Sequence, residues 1–222
     1  MGAGLERPID RLLEFVRAHT AVAPVPLAPE VRLHQATEVT PLWHATAADL
    51  RGWDDSPFWA FPWPGGQALA RYVLDHPAVV RGLSVLDFGA GSGLAGIAAA
   101  RAGAARVVAW DLDPFCEAAV ALNSALNGVE VEFRAGSPFP GALPDARVVL
   151  AGDVFYEREL AAGFLRFGRE LALAGTLVLA GDPGRLYSAP DGLDEVAAYD
   201  VPTPLELEDR RSMRTRVLAL RP

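Results

Sequence analysis

The stretch VLDFGAGSGLAG, residues 85–96, limits the fold of this chain more than any other part of the sequence. An apolar run is followed by Gly89, Gly91 and Gly93, and a segment rich in alanine begins directly after them. Glycine has no Cβ, so it allows both a tight turn and a close approach of the backbone to a ligand. The stretch therefore predicts a β-strand, a glycine loop and an α-helix, which together open a nucleotide-binding α/β unit.

The chain from residue 83 onward alternates between strand-like and helix-like patterns. Strands are expected at 83–88, 106–110, 129–133, 147–152 and 176–181, and helices at 92–102, 114–126 and 157–172. Alternation of this kind predicts an α/β fold with a parallel sheet and helices on both faces. The last two strands, 196–201 and 213–220, have no helix of crossover length between them, so an antiparallel hairpin is expected there.

Residues 1–64 differ from the rest because they are rich in proline and tryptophan. A helix is expected at 8–18, and the stretch APVPLAP is expected to block regular structure after it. An aromatic cluster follows, and it consists of Trp53, Phe58, Trp59, Phe61 and Trp63. The next segment, GGQALARYVLD, is helical by pattern. We interpret residues 1–64 as a helical extension with an aromatic lid, packed on a core domain of residues 65–222.

Composition narrows the class of protein. The 222 residues, 51% of them hydrophobic, suffice for one sizeable domain with its own core. A formal net charge of −8 argues against nucleic-acid binding, although it also serves solubility. No apolar run reaches the roughly 18–20 residues of a membrane span, and MGAGLERPID lacks the pattern of a secretory signal. With Cys116 as the single cysteine and no metal-ligand spacing among the histidines, we expect a cytoplasmic protein without a disulfide or a metal site.

Two classes of ligand fit the glycine loop. Asp111 ends the second strand, 20 residues after Gly91, where a carboxylate accepts hydrogen bonds from ribose hydroxyls. Gly91, Gly93 and Gly96 satisfy the dinucleotide fingerprint, which would indicate NAD. Asp87, however, makes the loop D-x-G-x-G-x-G, which resembles motif I of the seven-stranded S-adenosylmethionine-dependent methyltransferases. That family also closes its sheet with one antiparallel strand, which the expected terminal hairpin resembles. We therefore favour a methyl donor over NAD.

Longer segments are similar to a narrower family. DSPFWAFPWPGGQALARYVLDHP at 55–77, the acid-x-Phe-Tyr element at 153–156 and GDPGR at 181–185 resemble the protein lysine methyltransferases that act on the β-subunit of electron transfer flavoprotein. The segment 15–35 resembles their N-terminal extension, so the similarity runs from about residue 10 to the end. The chain departs from the family at Trp110, where a small or polar residue is more usual. No mitochondrial presequence is evident, which points to a bacterial member.

The resemblance implies a Rossmann-like, class I methyltransferase sheet of seven strands and a set of donor-binding residues. Asp87 would position the methionine end through the loop, Asp111 would hold the ribose, and Trp63 would cover part of the donor. Gly65 and Gly66 would let the chain pass close to the donor, because neither has a Cβ. The residues expected to bind the cofactor are Trp63, Gly66, Asp87, Gly89, Gly91, Gly93, Asp111, Leu112, Gly136 and Ser137, the last two at the adenine.

The catalytic residues implied by the resemblance are Asp153, Phe155 and Tyr156. Asp153 would orient the attacking amine through a hydrogen bond, and the two aromatic residues would form the wall of its channel. Asp153 as an N-cap of the helix expected at 157 is the alternative interpretation. Asp182 and Arg185 in GDPGR are expected either to contact the protein substrate or to brace a loop. Asp113 is expected to cap the helix that begins at Pro114.

These observations predict a protein lysine methyltransferase that uses S-adenosylmethionine, releases S-adenosylhomocysteine and acts on electron transfer flavoprotein β-subunit. A methyltransferase of a ribosomal protein, or of a small amine such as nicotinamide, is the first alternative. A NAD-binding domain and a catalytically silent binding module are the others. Asp153 argues against the silent module, because a decayed site would be expected to lose the acid after the fourth strand of the sheet.

Overall fold

The described chain alternates strands and helices in the way the sequence predicts. A computed structural model describes residues 8–36, 42, 56–136, 145–188 and 192–222. Its helices are α1 (Pro8–His19), α2 (Pro64–Asp75), α3 (Leu94–Arg101), α4 (Pro114–Asn127), α5 (Arg158–Leu173) and α6 (Leu205–Glu208). Its strands are β1 (Ala21–Pro24), β2 (Arg32–Gln35), β3 (Ser84–Phe88), β4 (Arg106–Asp111), β5 (Glu132–Ala135), β6 (Val148–Gly152), β7 (Leu177–Asp182), β8 (Leu193–Pro202) and β9 (Ser212–Leu220).

The central sheet has seven strands in the order β5-β4-β3-β6-β7-β9-β8. Strands β3 to β7 pair in parallel, and β9 is antiparallel to both of its neighbours. The predicted seven-stranded α/β sheet with a terminal antiparallel hairpin is therefore confirmed. After β3 the chain adds β4 and β5 on one side of the sheet, and after β6 it adds β7 on the other side, so the direction reverses between β3 and β6. A crevice at the carboxyl ends of these two strands follows from that reversal, and ligands bind there in sheets of this kind.

Strand boundaries differ most from the prediction at β5 and in the N-terminal segment. The strand expected at 129–133 lies at Glu132–Ala135. The stretch APVPLAP, expected to block regular structure, is part of the β1–β2 hairpin, which pairs Ala21 with Gln35. Its prolines are tolerated because Pro24 ends a strand at the edge of a two-stranded sheet and the others lie in the turn, where no ladder N–H is needed.

The two faces of the sheet are covered by different helices. Leu69 and Val73 of α2 pack with Val85 and Leu179 on one face. Phe164 of α5 packs against Phe88 on the other face, with ring centroids 5.4 Å apart. Burial of these apolar side chains contributes most of the folding free energy. It also holds the carboxyl ends of the strands, and hence the crevice, in a rigid frame.

The N-terminal segment packs on α4. Val16 of α1 belongs to the same apolar cluster as Phe115. The backbone N–H of His34 donates to Oδ1 of Asn123 at 2.8 Å, and Nδ2 of Asn123 donates to the carbonyl of Ser92 at 2.8 Å. One fully buried amide therefore connects the β1–β2 hairpin to the glycine loop. Among the described residues, no helix is both long and apolar enough to span a bilayer.

Candidate active site

A cavity of about 450 Å³ opens at the carboxyl ends of β3, β4 and β6, where the order of the sheet reverses. A smaller cavity of about 50 Å³ lies beside it. Predicted site residues that line the larger cavity are Trp63, Gly89, Gly91, Asp111, Leu112, Asp153 and Tyr156. Gly66 and Asp87 line the smaller one together with Gly89, Gly91, Trp63 and Asp153. The fold thus brings most of the predicted residues to one place.

The three loop glycines have different roles. All have positive φ, at +63° for Gly89, +51° for Gly91 and +79° for Gly93, so an L side chain would be strained at each. Gly89 and Gly91 border both cavities. Gly93 is the N-cap of α3, and a Cβ there would lie 3.0 Å from Cγ2 of Val120. Gly93 therefore serves the turn and its packing rather than the described cavity walls.

Asp87 supports the loop from below. Its carboxylate is buried, and Oδ2 accepts a hydrogen bond of 2.8 Å from the N–H of Gly96 in α3. A Cβ on Gly96 would lie 3.0 Å from the same oxygen, so only glycine fits without a shift. Burial, with a smaller contribution from the charge of Asp111, raises the pKa of Asp87 to about 7 against the opposing effect of the Gly96 N–H. Asp87 thus ties the end of β3 to the helix that follows.

Asp111 faces the same loop from the end of β4. Its Oδ2 accepts from the N–H of Gly91 at 2.9 Å, and its Oδ1 accepts from the N–H of Asp113 at 3.0 Å. The Cys116 thiol also hydrogen-bonds to this carboxylate, which offers about four lone pairs, so it keeps capacity for one hydroxyl donor in the cavity. The predicted cap is confirmed, since Oδ1 of Asp113 accepts from the N–H of Phe115 at 2.8 Å. Leu112 is exposed beside the cavity.

Asp153 has an unusual backbone conformation and a buried carboxylate. Its φ is +55°, a left-handed value that is uncommon outside glycine. Its N–H donates to the carbonyl of Gly181 at 2.9 Å, and its Oδ2 accepts from the N–H of Gly65 at 2.5 Å. The N-cap of α5 is Glu157, so the interpretation of Asp153 as the cap of this helix is wrong. Strained backbone that surrounding structure maintains is typical of functional sites.

Sequence reasoning missed the close packing of α2 against two strand ends. A Cβ on Gly181 would collide with the carbonyl of Gly65, and one on Gly152 would lie 2.8 Å from the N–H nitrogen of Gly66. Gly152 and Gly181 are register partners in β6 and β7. Each is the fourth residue of the same pentapeptide, VLAGD, which occurs at 149–153 and at 178–182. This repeat was the available signal, because identical strand ends with glycine suggest a shared close approach of backbone.

The structure corrects the expectation for Phe155. Its ring is fully buried and packs edge-on against Phe164, with centroids 5.9 Å apart. Tyr156 instead is 49% exposed, lines the cavity and lies 5.8 Å from the ring centroid of Phe58. The turn at Asp153 directs the first aromatic into the core under α5 and leaves the second at the rim. Of the two aromatic residues at 155 and 156, Tyr156 is the one that forms a wall of the cavity.

Trp63 is the aromatic residue that borders both cavities. Its Nε1 donates to the carbonyl of Phe58 at 2.8 Å, and its ring meets Phe58 edge-on at 5.6 Å. Trp59 and Phe61 are buried, as expected for core residues, although each also borders one cavity. Trp53 lies outside the described residues. The hydrogen bond and the packing fix the orientation of the Trp63 ring at the cavity wall.

Two expectations about the adenine end stay predictions. Gly136 has a φ of +111°, and its N–H donates to the carbonyl of Asp111 at 3.0 Å, but it lines neither of the two cavities. Ser137 lies outside the described residues. Trp110, by contrast, borders the larger cavity, as does Trp59. Within the described part of the chain, the Nε1 atoms of both indoles are buried and have no hydrogen-bond partner.

Arg185 joins the site from the GDPGR turn, and sequence reasoning missed its partner Glu208. Nη2 of Arg185 lies 2.6 Å from Oδ1 of Asp153 and 2.6 Å from Oε1 of Glu208, which comes from α6 in the hairpin connection. Asp182 braces the turn, because its Oδ1 accepts from the N–H of Arg185 at 2.9 Å. Of the two roles left open for GDPGR, Asp182 thus has the bracing one and Arg185 lies in the cavity.

The electrostatics of Asp153 reflect two opposing effects. Burial raises its pKa to about 6, although the charge and hydrogen bonds of Arg185 and the N–H of Gly65 lower it. The carboxylate is therefore mostly ionised at pH 7 and accepts rather than donates. Within the described ranges, no group of three His, Cys, Asp or Glu side chains is arranged to hold a metal ion.

The cavity fits a nucleoside-type cofactor. Its volume lies in the range of about 300–1,000 Å³ that is usual for such ligands. Its lining includes two glycines of the loop, the carboxylate of Asp111 and the side chains of three tryptophans. Aromatic faces suit both an adenine ring and a cationic centre. These features come from the residues of the cavity itself, and they agree with the expected methyl donor.

Comparisons with known proteins agree with this geometry. The family model of ribosomal protein L11 methyltransferase (PrmA) matches residues 67–151. The electron transfer flavoprotein beta subunit lysine methyltransferase of Mus musculus is 39% identical over 196 residues, which are 82% of this chain and 73% of that protein. Its Xenopus laevis counterpart is 42% identical over 175 residues, 77% of this chain and 70% of that protein.

A solved structure shows the same fold. Magnesium protoporphyrin IX methyltransferase from Synechocystis PCC 6803, solved with bound SAH, superposes with a TM-score of 0.51 at 17% identity. The match covers 71% of this chain and 82% of that one. At this identity the likeness concerns the arrangement of sheet and helices, and the site has to be argued from its own residues.

Proposed function

Since this chain belongs to the family of electron transfer flavoprotein beta subunit lysine methyltransferases, we propose that it methylates lysine side chains of an electron transfer flavoprotein beta subunit, with S-adenosylmethionine as the donor. The observation that carries the proposal is the buried carboxylate of Asp153, paired with Arg185, in the same cavity as the glycine loop. The residues proposed to bind the donor and the carboxylate proposed to accept from the amine thus line one cavity.

The donor would be held by Asp111 at the end of β4, by the glycine loop that follows β3 and by Trp63, which directly precedes α2. The remaining lone pair of Asp111 would accept from a ribose hydroxyl, and the turn at Gly89 and Gly91 would let the backbone approach the methionine end. The face of Trp63 would cover the donor. When bound, S-adenosylmethionine supplies an electrophilic methyl group on a sulfonium cation.

The amine is the difficult reactant. A lysine has a pKa of about 10.4, and deprotonating it at pH 7 costs roughly 4.6 kcal/mol, since each pKa unit is about 1.36 kcal/mol. Burial between aromatic walls such as Tyr156 and Trp63 favours the neutral amine, because desolvation disfavours the charged form. Asp153 would accept a hydrogen bond from the amine and direct its lone pair to the methyl group. Alignment of this kind contributes rate by removing orientational freedom.

The transfer itself balances without further reactants. The amine lone pair forms the new N–C bond while the C–S bond breaks and its electron pair stays on sulfur, which becomes the thioether of S-adenosylhomocysteine. The methylated nitrogen is then cationic, and its extra proton leaves to solvent. Asp153, with a pKa of about 6, is a hydrogen-bond acceptor in this scheme rather than the final base.

A transfer assay with labelled S-adenosylmethionine tests the proposal. The purified enzyme would be offered recombinant electron transfer flavoprotein from the same genome and, in parallel, whole-cell extract from a deletion strain. The chain contains no lysine, since its 20 basic residues are all arginine, so labelled methyl-lysine cannot come from the enzyme. A labelled beta subunit is the expected result. Label in another protein would retain the chemistry and reject the substrate.

Ribosomal protein L11 belongs in the same assay as a second acceptor. The family model of its methyltransferase matches residues 67–151, which end before Asp153. That match therefore concerns the donor-binding half and is silent about the acceptor side of the cavity. Methylation of L11 but not of the flavoprotein would reject the flavoprotein as the substrate and support L11 instead.

A further inference from the structure

The guanidinium of Arg185 bridges two buried carboxylates inside the candidate active site. Nε and Nη2 lie 2.9 and 2.6 Å from Oδ1 of Asp153. Nη1 and Nη2 lie 2.9 and 2.6 Å from Oε2 and Oε1 of Glu208, a two-pronged contact. The side chains are 19%, 11% and 7% exposed for Arg185, Asp153 and Glu208. Ion pairs shielded to this degree are weakly screened by salt and depend on their geometry.

Arg185 occupies most of the hydrogen-bonding capacity of Asp153. A carboxylate offers about four lone pairs, two on each oxygen. Both on Oδ1 face Arg185 nitrogens, and one on Oδ2 faces the N–H of Gly65. An incoming amine therefore finds the arginine side of this carboxylate already taken. The amine must displace the guanidinium from Oδ1, or it must donate to the single lone pair that remains on Oδ2.

The charges of the cluster leave room for a second cation. Asp153 and Glu208 carry two negative charges when ionised, and Arg185 supplies one positive charge. Both carboxylates share one guanidinium, so the cluster keeps one negative charge in excess and attracts a further cation. A lysine side chain that arrives at Asp153 would complete the pairing, provided that Glu208 keeps the guanidinium. The bidentate contact from α6 is suited to hold it.

Only the side chain of Arg185 has to move. Oδ1 of Asp182 holds the N–H groups of Gly184 and Arg185 at 3.0 and 2.9 Å, so the backbone of the turn is fixed. Cζ of Arg185 also lies 5.8 Å from the ring centroid of Trp63, the residue that borders both cavities. The guanidinium thus already sits where an aromatic face and a carboxylate receive a cation.

We propose that Arg185 occupies, in the substrate-free enzyme, the position on Asp153 that the substrate amine takes, and that Glu208 retains the guanidinium when the amine displaces it. This inference rests on the proposed lysine methylation. It makes Arg185 a specificity-determining residue, because an acceptor has to bring a cationic group on a long side chain to replace it. The lysine arrives as the ammonium ion, and it loses one proton to solvent before the neutral amine attacks the methyl group. Small neutral acceptors would not displace the guanidinium.

Arg185→Lys provides the first test. By bond count, Nζ of a lysine reaches about the position of Cζ of the arginine, one bond from both nitrogens that contact Asp153. If the arginine holds the amine position, this lysine is methylated by its own active site. Intact-protein mass after incubation with S-adenosylmethionine should rise by one or more methyl groups, and peptide mapping should place them at position 185.

Arg216→Lys is the matched control. Arg216 also pairs with a buried carboxylate, with Nη2 2.7 Å from Oδ2 of Asp182, but it does not line the cavity. Its lysine should remain unmethylated. An Arg185→Lys enzyme that methylates its protein substrate but never itself would overturn the inference and leave the proposed function intact. Self-methylation at 185 without transfer to any flavoprotein would support the inference and reject the substrate.

Steady-state kinetics give a second measurement if the lysine variant folds poorly. Arg185→Met removes the competing cation, so KM for the protein substrate should fall by about 3- to 10-fold, as when a competing state is removed. Glu208→Gln weakens the contact that would hold the displaced guanidinium, so KM for the protein substrate should rise by a similar factor. Changes in the same direction for both variants would indicate a merely structural cluster and overturn the inference.

Discussion

The N–H of Gly65 donates a hydrogen bond of 2.5 Å to Oδ2 of Asp153, across 88 residues of sequence. The bond places the first turn of α2 directly against the candidate catalytic carboxylate. The positive end of a helix stabilises a nearby anion, so α2 helps to keep Asp153 ionised despite its burial. The aromatic segment that precedes α2 and the acid that follows β6 are therefore one structural unit.

Gly65→Ala should disrupt this unit, because a Cβ at this position would lie 2.5 Å from Oδ2 of Asp153 and collide with the carbonyl of Gly181. We expect a loss of about 1–3 kcal/mol in the free energy of unfolding, the usual range for overpacking, together with a large loss of methyl transfer. Urea denaturation measures the first quantity.

Gly66→Ala is the control, because its Cβ would meet only Cδ2 of Leu94 at 3.7 Å, an ordinary contact. Its free energy of unfolding should stay within about 1 kcal/mol of the wild type, the size of the helix preference for alanine over glycine. Equal destabilisation by the two variants would contradict the close packing described for α2.

Asp153→Asn should separate donor binding from transfer. The amide keeps the volume and can still accept from Gly65, so the dissociation constant for S-adenosylhomocysteine should change by less than about threefold. Loss of the anion that orients the amine should lower kcat by roughly 100-fold or more, a loss typical of removing one transition-state contact.

Asp111→Ala should give the opposite pattern, with donor affinity weakened by about 10- to 100-fold, since hydrogen bonds to charged groups contribute about 1.5–3 kcal/mol. Calorimetric titration with S-adenosylhomocysteine distinguishes the two variants. Normal turnover by Asp153→Asn would show that Asp153 does not orient the amine. Normal donor affinity of Asp111→Ala would show that Asp111 does not bind the donor.

Asp87 should make the protein without cofactor less stable as the pH rises. Its pKa is raised from 3.8 to about 7 on folding, so between these values the folded state binds a proton that the unfolded chain has lost. Stability therefore falls with rising pH, by up to about 1.4 kcal/mol per unit, and the loss is complete above pH 7. The raised pKa of Asp153 acts in the same direction, but its window ends at about 6.

In the interval from pH 6 to 7.5, comparison with Asp87→Asn isolates Asp87, because the remaining titration of Asp153 occurs in both proteins. Wild-type protein should lose about 1.3 kcal/mol more than Asp87→Asn across this interval, as proton linkage requires. His34, whose pKa burial lowers, titrates in both proteins and cancels in the difference. Parallel curves of unfolding free energy against pH would show that Asp87 is already ionised in the folded state.

Phe155 and Tyr156 should respond differently to the same substitution. Phe155→Leu leaves a gap in the core beside Phe164 and should cost about 1–3 kcal/mol of stability, with KM for the protein substrate unchanged. Tyr156→Leu removes a half-exposed wall of the cavity, so it should raise KM by several-fold with little change in stability. A KM effect of Phe155→Leu without destabilisation would restore its predicted place in the channel.

The sequence by itself determined the class of sheet and the donor side of the site. Strand and helix periods are local, so the alternation from residue 83 and the final hairpin could be read with errors of a few residues. Asp87, Gly91 and Asp111 could be placed because one strand, one loop and the next strand connect them over short spans. The exact ends of β5 could not, because few side chains in that short strand alternate between core and solvent.

The resemblance predicted Asp153 and Tyr156 for the candidate acceptor side, but only the tertiary structure decided how that side is assembled. Arg185 meets Asp153 across 32 residues and Glu208 across 23, and these contacts depend on β7 lying beside β6 and on the hairpin connection folding back. No local pattern encodes such a meeting. The positive φ of Asp153 likewise decides that Phe155 enters the core while Tyr156 faces the cavity. A backbone turn held by contacts between distant strands sets these directions, whereas periodicity specifies only which face of a strand or helix is apolar.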